Sequence, residues 1–244
     1  MSPIKNYVVY TDGMKRAIYD KLFFVDKIEP TMIVDYGCAD GTLMRELAEY
    51  YPEIPIIGVD NDPQMREKSS DLDIRRDICN IAPIKGSALV LSSVIHEIYS
   101  YCNPDEIDLF WKYTARYDYL VIRDMCVHGH TFHREVAKEL IEKVREIHPS
   151  QMRDFEGYWG NIKTTASFMH FLLKYMYQDN WEREVQENYL PNTKEGLIDM
   201  ISNQGRNIIY QEHYVLPYLK EKWKKDFDVN VDLPTHLKLI AKRV

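Results

Sequence analysis

Short apolar runs alternate along this chain with longer stretches in which apolar residues recur every three or four positions. The apolar runs predict strands near residues 32–36, 55–60, 72–75, 88–92 and 119–123. The stretches with helical spacing predict helices near residues 42–50, 63–69, 104–116 and 132–147. Strands and helices that alternate in this way predict a parallel sheet with helices on both faces.

Both ends of the chain extend this pattern. Residues 12–28 predict a further helix, with Ile18, Leu22, Phe23 and Val25 on its apolar face. Two more strands are predicted near the C-terminus, over residues 207–215 and 236–241. The sequence therefore predicts an α/β fold with a doubly wound, mostly parallel sheet.

The first predicted strand opens through two glycines onto a predicted helix. Gly37 and Gly41 lack the Cβ atoms that would block a ligand from the backbone. The helix that follows offers free N–H groups at the same place. The second strand ends at Asp60, 25 residues after Asp35, and a carboxylate there can accept hydrogen bonds from both hydroxyls of a ribose. The pattern predicts a nucleoside site.

The residues of the glycine turn indicate which class of nucleoside ligand the site can bind. A Rossmann turn that binds a pyrophosphate usually reads G-x-G-x-x-G, with its acid about 20 residues further on. Asp40 puts a negative charge in this turn, where a pyrophosphate would lie. This disfavours NAD and ATP and suits a ligand that carries positive charge.

The sequence from Asp35 to Gly41 resembles the glycine motif (D/E)-x-G-x-G-x-G of class I S-adenosylmethionine-dependent methyltransferases, with Ala39 in place of the middle glycine. The resemblance covers roughly residues 30–148 and includes five elements in order. It implies a Rossmann-like, seven-stranded sheet completed by a terminal hairpin with one antiparallel strand. It also implies S-adenosyl-L-methionine as the cofactor, bound by Asp35, Gly37, Cys38, Ala39, Gly41, Asp60, Asn61, Asp77, Ile78, Ser92 and Ser93.

The predicted organisation is one domain over residues 1–244 with a helical insertion before the last two strands. Its parts are an N-terminal helical segment, a cofactor-binding core, the insertion and a C-terminal hairpin, over residues 1–29, 30–148, 149–206 and 207–244. The insertion is rich in aromatic residues, and the resembling family often places its substrate-recognition element there. We predict a lid over the substrate side, with mere packing on the core as the alternative.

His96 and Glu97 are the predicted catalytic residues. They follow the fourth strand, where the family places the residues that face the methyl group. The Pro-Pro pair typical of exocyclic amine methylation and the Pro-Cys of pyrimidine C5 methylation are both absent there. A neutral imidazole titrates near working pH, so His96 is the candidate base and Glu97 orients it or lines the site. The alternative is that His96 only packs against the lid.

A metal site is considered as well, because His128, His130 and His133 follow the fifth strand and Asp124. Small-RNA 3′-end 2′-O-methyltransferases hold a divalent ion with a Glu-x-x-Glu-His cluster after their fourth strand. Residues 93–97 lack one of these acids and reverse the order of His and Glu. We therefore assign no metal ligands, and whether a divalent metal assists the reaction stays open.

Composition limits the class of partner. The formal net charge of −7 over 244 residues disfavours a broad duplex nucleic-acid footprint. The four cysteines show no C-x-x-C spacing, which indicates reduced thiols and a cytoplasmic protein. Neither a membrane-length apolar run nor a signal-peptide core is visible. The basic run at 220–225 predicts a solvated helix face with Trp223 packed inward, and RNA contact is its alternative.

Together these features predict S-adenosylmethionine-dependent methyl transfer to a small-molecule or nucleotide-like acceptor, at oxygen or nitrogen. An RNA methyltransferase, acting on tRNA or on an RNA 3′ end, is the second reading. A catalytically silent S-adenosylmethionine-binding partner subunit is the third.

Overall fold

The computed structural model describes residues 17–244, which form a seven-stranded sheet. Its strands are β1 Met32–Tyr36, β2 Ile56–Val59, β3 Ile74–Arg75, β4 Ser87–Ser92, β5 Tyr119–Met125, β6 Arg206–Tyr214 and β7 His236–Arg243. The strand order is β3-β2-β1-β4-β5-β7-β6. The first five strands are parallel, and β7 runs antiparallel between β5 and β6. The predicted fold class is confirmed.

Helices cover both faces of this sheet. They are α1 Ile18–Lys21, α2 Thr42–Tyr50, α3 Pro63–Lys68, α4 Ile95–Tyr101, α5 Pro104–Thr114, α6 Gly129–Phe132, α7 Lys138–Ile147, α8 Pro149–Trp159, α9 Thr165–Lys174, α10 Trp181–Glu184, α11 Lys194–Ser202 and α12 Pro217–Phe227. Short 3₁₀ turns lie at Ile78–Asn80 and Gln178–Asn180. Between residues 17 and 244, none of the helices has both the length and the apolar character that a bilayer span requires.

Successive residues of the central strands bury their side chains on opposite faces of the sheet. In β1, Val34 joins the apolar cluster beneath α4, α5 and α11, whereas Ile33 joins the cluster beneath α1 and α2. Strands buried on both faces are typical of a parallel sheet covered by two helical layers. The continuous apolar runs of the sequence follow from this burial.

A third apolar cluster joins the insertion to the C-terminal helix. Phe155 on α8, Phe171 on α9 and Trp223 on α12 are completely buried in it. The Trp223 indole N–H donates to the Leu172 carbonyl at 2.9 Å, so its polar group is satisfied. The prediction that Trp223 packs inward is confirmed, and Lys220 and Lys224 on the same helix are exposed.

Two helix predictions need correction. The part of the 12–28 helix that the structure describes ends at Lys21, and turns follow through Lys27; residues 12–16 lie outside the described residues. These turns bury Phe24, which the predicted apolar face left out, more deeply than Phe23 or Val25.

The helix predicted over 132–147 begins only at Lys138. Glu135 forms a bridge with Thr164, and Val136 N–H donates to the Lys163 carbonyl at 3.0 Å. This pairing between distant segments holds residues 134–136 in extended conformation. The spacing of apolar residues along the sequence cannot show such a pairing, so the helix was predicted to begin too early.

Candidate functional site

The glycine turn between β1 and α2 has the backbone conformation that its sequence predicts. Gly37, Ala39 and Gly41 have positive φ angles of 75°, 47° and 71°. A Cβ atom at Gly37 would lie 2.6 Å from the Val94 Cγ2 atom, so this position requires glycine. Ala39 adopts the left-handed conformation as well, although it carries a Cβ atom that disfavours it.

Asp60 and the turn hold each other in position. The Ala39 N–H donates to Asp60 Oδ2 at 2.8 Å, and the Asp62 N–H donates to Oδ1 at 2.8 Å. Burial raises the pKa of the Asp60 carboxyl above its ordinary value. Each carboxylate oxygen has a second lone pair, so Asp60 can accept further hydrogen bonds while it keeps the turn in place.

Two adjoining cavities open above the carboxyl ends of the parallel strands. The smaller cavity, about 130 Å³, lies beside Asn61, Arg76 and Tyr101. The larger cavity, about 390 Å³, extends past Ser92 and His96. Both are lined by Gly37, Asp60, Val94 and Glu97, so the two cavities adjoin at these residues, and we refer to them together as the groove. Ligands of open α/β sheets bind at this edge.

A buried group of polar side chains lies where β1, β4 and α1 meet. Lys21, Asp35 and Ser92 line a narrow extension of the groove beside Gly37. Among residues 17–244, the Asp35 Oδ2 and Ser92 Oγ atoms are buried without a hydrogen-bond partner. Burial raises the pKa of Asp35 to about 7, although Lys21 opposes the shift. Burial lowers the pKa of Lys21 to about 8, and Arg123 lowers it further. A polar ligand in this extension would satisfy both atoms.

His96 is held by Asp124, from the end of β5. Its Nδ1 lies 2.9 Å from Asp124 Oδ1, while Asp124 Oδ2 accepts from the Ile95 N–H at 2.7 Å at the start of α4. Burial alone would lower the pKa of His96, but the carboxylates of Asp124, Glu187 and Glu97 raise it to about 9. The three acids come from different segments, so the sequence alone does not show that they converge on His96.

Carboxylates from the insertion form the wall opposite His96. Glu184 and Glu187 are 5% and 2% exposed and line the larger cavity. Arg183 bridges Glu187 and Glu97 at 2.8 and 2.9 Å, and the Tyr189 hydroxyl donates to Glu184. Burial and the neighbouring Glu187 carboxylate raise the pKa values of Glu97 and Glu184 to about 7. We call Glu97, Glu184, Glu187 and Tyr189 the acceptor wall.

The structure brings most of the predicted site residues to the groove. The two cavities are lined by Gly37, Ala39, Asp60, Asn61, Ser92, Ser93, His96 and Glu97, and the narrow extension also reaches Asp35 and Cys38. Gly41, Asp77 and Ile78 are not among the lining residues. Asp77 instead caps the 3₁₀ turn through the Cys79 N–H at 3.2 Å, and Arg76 lines the smaller cavity. Contacts of Asp77 and Ile78 with a ligand stay a prediction.

Several functional side chains were missed or given another role. Glu97 pairs with Arg183, whereas Asp124, which the metal hypothesis included, orients His96. Lys21, Glu184 and Glu187 were not singled out. The sequence offered two signs of these roles. One is the Arg-Asp pair at the end of the fifth strand, and the other is the close spacing of Arg183, Glu184 and Glu187.

The residues of the metal hypothesis separate into two groups. His96, Glu97 and Glu187 bring donor atoms within 4.8 Å of one another, and His128, His130 and Glu195 do the same elsewhere. Neither group includes His133, which is exposed and packs against Phe132.

No protein-family profile matches the chain. Curated relatives align with part of it. The trans-aconitate 2-methyltransferase of Mycolicibacterium gilvum is 30% identical over 115 residues, which are 45% of this chain and 43% of that protein. The enzyme of the same name from Rhodococcus jostii is 30% identical over 90 residues, or 36% and 35% of the two chains. The match thus spans less than half the length of these relatives.

Solved structures resemble the chain over nearly its full length. A SAM-dependent methyltransferase from Archaeoglobus fulgidus superposes with a TM-score of 0.52 at 12% identity, over 95% of this chain and 94% of that one. The cyclopropane synthase MmaA2 from Mycobacterium tuberculosis gives 0.53 at 11% identity, over 92% and 84%. The chain therefore has the fold of the Archaeoglobus fulgidus SAM-dependent methyltransferase, a mostly parallel, seven-stranded Rossmann-like sheet.

Proposed function

We propose that this protein transfers the methyl group of S-adenosyl-L-methionine to the oxygen or nitrogen of a small molecule. One observation carries the proposal. The groove runs from the smaller cavity, past Asp60 and the Gly37 turn, to a buried His–Asp pair in the larger cavity. A nucleoside ligand and a second small molecule fit such a groove end to end.

The residues of the groove suit this cofactor. Asp60 would accept hydrogen bonds from the ribose hydroxyls. Lys21 would bind the carboxylate of the methionine moiety. The unpaired oxygen of Asp35 would accept from its amino group, and Ser92 Oγ would form a further hydrogen bond. When bound, the cofactor supplies an electrophilic methyl group on a sulfonium.

His96 would take the proton that the acceptor loses. Its Nε2 is the nitrogen not bonded to Asp124 and lies 3.8 Å from Glu187, on the cavity side. Asp124 fixes the tautomer with the hydrogen on Nδ1, as a carboxylate does for a catalytic histidine. With a pKa of about 9, the base form increases as the pH rises toward that value, so turnover should rise over the same range.

The acceptor wall favours a neutral or cationic acceptor. Three of its four side chains are carboxyl groups, and an acceptor carboxylate would add a like charge in a buried place, which is costly. Trans-aconitate, a tricarboxylate, is therefore a poor fit, although its methyltransferases align with part of this chain. We propose an acceptor with a hydroxyl or amino group and no carboxylate.

Metal-assisted methylation of RNA is the second candidate, because His96, Glu97 and Glu187 place donor atoms close together. Arg183 already bonds to both of these carboxylates and supplies the positive charge that an ion would bring. We therefore favour the small-molecule reaction without a metal at this place. EDTA provides the check: loss of turnover that a divalent ion restores would favour the second candidate.

Release of S-adenosylhomocysteine during incubation with hydroxyl, amine and carboxylic acid acceptors tests the proposal. His96→Ala should lower turnover by about 10²–10⁴-fold and leave cofactor binding nearly unchanged, whereas the exposed His133→Ala serves as the matched control. Full activity of His96→Ala would remove His96 from the mechanism. Cofactor binding without turnover of any acceptor would favour a silent partner subunit.

A further inference from the structure

A second cluster of polar side chains lies outside the groove, at the end of β5. His128 and His130 follow β5, and Glu195 lies in the first turn of α11. The three residues each offer one donor atom, and these atoms lie within 4.8 Å of one another. His213 on β6 contacts His128 from the other side, with ring centroids 4.3 Å apart. None of these side chains has a role in the proposed reaction.

Three contacts connect this cluster in a line. Glu195 Oε1 lies 2.8 Å from His128 Nδ1, and His128 Nε2 lies 3.0 Å from His213 Nδ1. The His213 Nε2 atom lies 3.1 Å from the Cys126 carbonyl oxygen. An ionised carboxylate and a carbonyl only accept hydrogen bonds, so every hydrogen in the line must come from a ring nitrogen.

Two neutral imidazoles cannot supply a hydrogen to every contact in this line. Three hydrogen bonds need three hydrogens, whereas two neutral imidazoles carry only two. With two hydrogens, one of the three contacts has none. When His213 donates to the Cys126 carbonyl and His128 donates to His213, the bare Nδ1 lone pair of His128 faces the Glu195 carboxylate and is free to bind a cation. A metal cation between these two atoms would bind both of them, and the His130 donor atom lies within 4.8 Å of each.

We propose that His128 Nδ1, His130 and Glu195 bind a divalent cation of the zinc class. Imidazole nitrogens and a carboxylate oxygen are ligands that zinc accepts. The His213 ring and the Cys126 carbonyl form the support behind His128, since a metal-bound histidine usually donates its other N–H to such a partner.

The side that faces solvent is open. His130 and Glu195 are exposed and His128 is half-buried, so a water molecule can complete a four-coordinate ion. The Gly129 N–H donates to Glu195 Oε2 at 2.8 Å, which orients the carboxylate while Oε1 faces His128. The exposed His130 side chain can rotate to bring its ring nitrogen to the ion.

Such an ion would fasten the insertion to the sheet. Val127 pairs with Thr193 in an isolated bridge, and the Lys194 N–H donates to the Val127 carbonyl at 2.9 Å. These backbone contacts connect the end of β5 to α11, and the ion would add a link between the same two segments. A cation that binds only the folded state stabilises it in proportion to its occupancy.

Calorimetric titration of the tag-free, full-length chain with Zn²⁺ tests the proposal. We expect one ion per chain at neutral pH, with a higher melting temperature when zinc is present. His130→Ala and Glu195→Gln should each weaken zinc binding at least 10-fold and remove the thermal shift. His133→Ala, an exposed histidine three residues further on, should behave like the wild type.

Both variants alter exposed side chains, so the fold should persist, and circular dichroism checks this. The proposal is overturned if the wild type takes up no zinc at millimolar concentration. It is also overturned if His130→Ala and Glu195→Gln keep the wild-type affinity, or if His133→Ala loses as much affinity as His130→Ala. Glu187→Gln should leave the zinc affinity unchanged. If this variant loses zinc binding, the ion binds in the groove and the proposal is overturned.

Discussion

Replacing Asp124 is the most direct test of the pair that it forms with His96. Its carboxylate bonds to His96 Nδ1 and accepts from the Ile95 and Met125 N–H groups. Burial alone would raise the pKa of Asp124, but His96 lowers it below its ordinary value. Asp124→Asn keeps the shape of the side chain, removes the charge and leaves His96 with a neutral neighbour.

The size of the effect follows from the pKa of His96. A rise from 6.5 to about 9 corresponds to about 3 kcal/mol of preference for the imidazolium in the folded state. Because the folded pKa lies above the unfolded one, this stabilisation is fully present below pH 6.5 and is lost as the pH rises through 9. Asp124→Asn should therefore destabilise the protein by up to about 3 kcal/mol more at pH 6 than at pH 10.

Urea unfolding of the wild type and the variant at both pH values measures this difference. Asp232→Asn, whose side chain is 87% exposed, is the control and should show little change at either pH. An NMR titration of the His96 ring should show its pKa falling in Asp124→Asn, since burial then acts with less opposition. If Asp124→Asn costs the same free energy at pH 6 and pH 10, the charged pair does not exist and the assignment of His96 as base loses its support.

Three further predictions concern the groove and the core. Asp60→Ala should weaken the binding of S-adenosylhomocysteine by about 1–3 kcal/mol, the usual cost of losing charge-assisted hydrogen bonds, and calorimetry measures it; an unchanged affinity would contradict the role of Asp60. Trp223→Ala should lower the free energy of unfolding by about 3–5 kcal/mol, because the indole is fully buried, and a loss under 1 kcal/mol in denaturant would count against that packing. Limited proteolysis should cut residues 176–189 more slowly when S-adenosylhomocysteine and an acceptor are bound, and equal rates with and without ligands would argue against a lid.

The parts of the site predicted from sequence are those made by neighbouring residues. Gly37, Gly41 and the start of α2 lie within one short stretch, and their backbone conformations follow from local rules about glycine and helix ends. Asp60 was placed by its position at the end of a second strand, because the ends of parallel strands meet at one edge of the sheet.

The remaining parts depend on distant segments that meet only in the folded chain. Glu97 and Arg183 are 86 positions apart, and neither residue type by itself indicates a buried ion pair. The pKa of His96 depends on three acids from three segments, so the sequence predicted the residue but not its protonation. Most aromatic residues of the insertion, Phe155 and Phe171 among them, build a core of their own, while only Tyr177 and Tyr189 from that set line the larger cavity.

The position of β7 has a consequence for the order in which the chain folds. This strand is later in the sequence than β6 but lies between β5 and β6, and β6 forms no ladder with β5. During synthesis, β6 must therefore wait, unpaired with the rest of the sheet, until residues 236–243 have left the ribosome. Until then β5 is an open edge, available to other chains. We expect nascent chains that stop before β7 to depend on chaperones far more than the finished protein does.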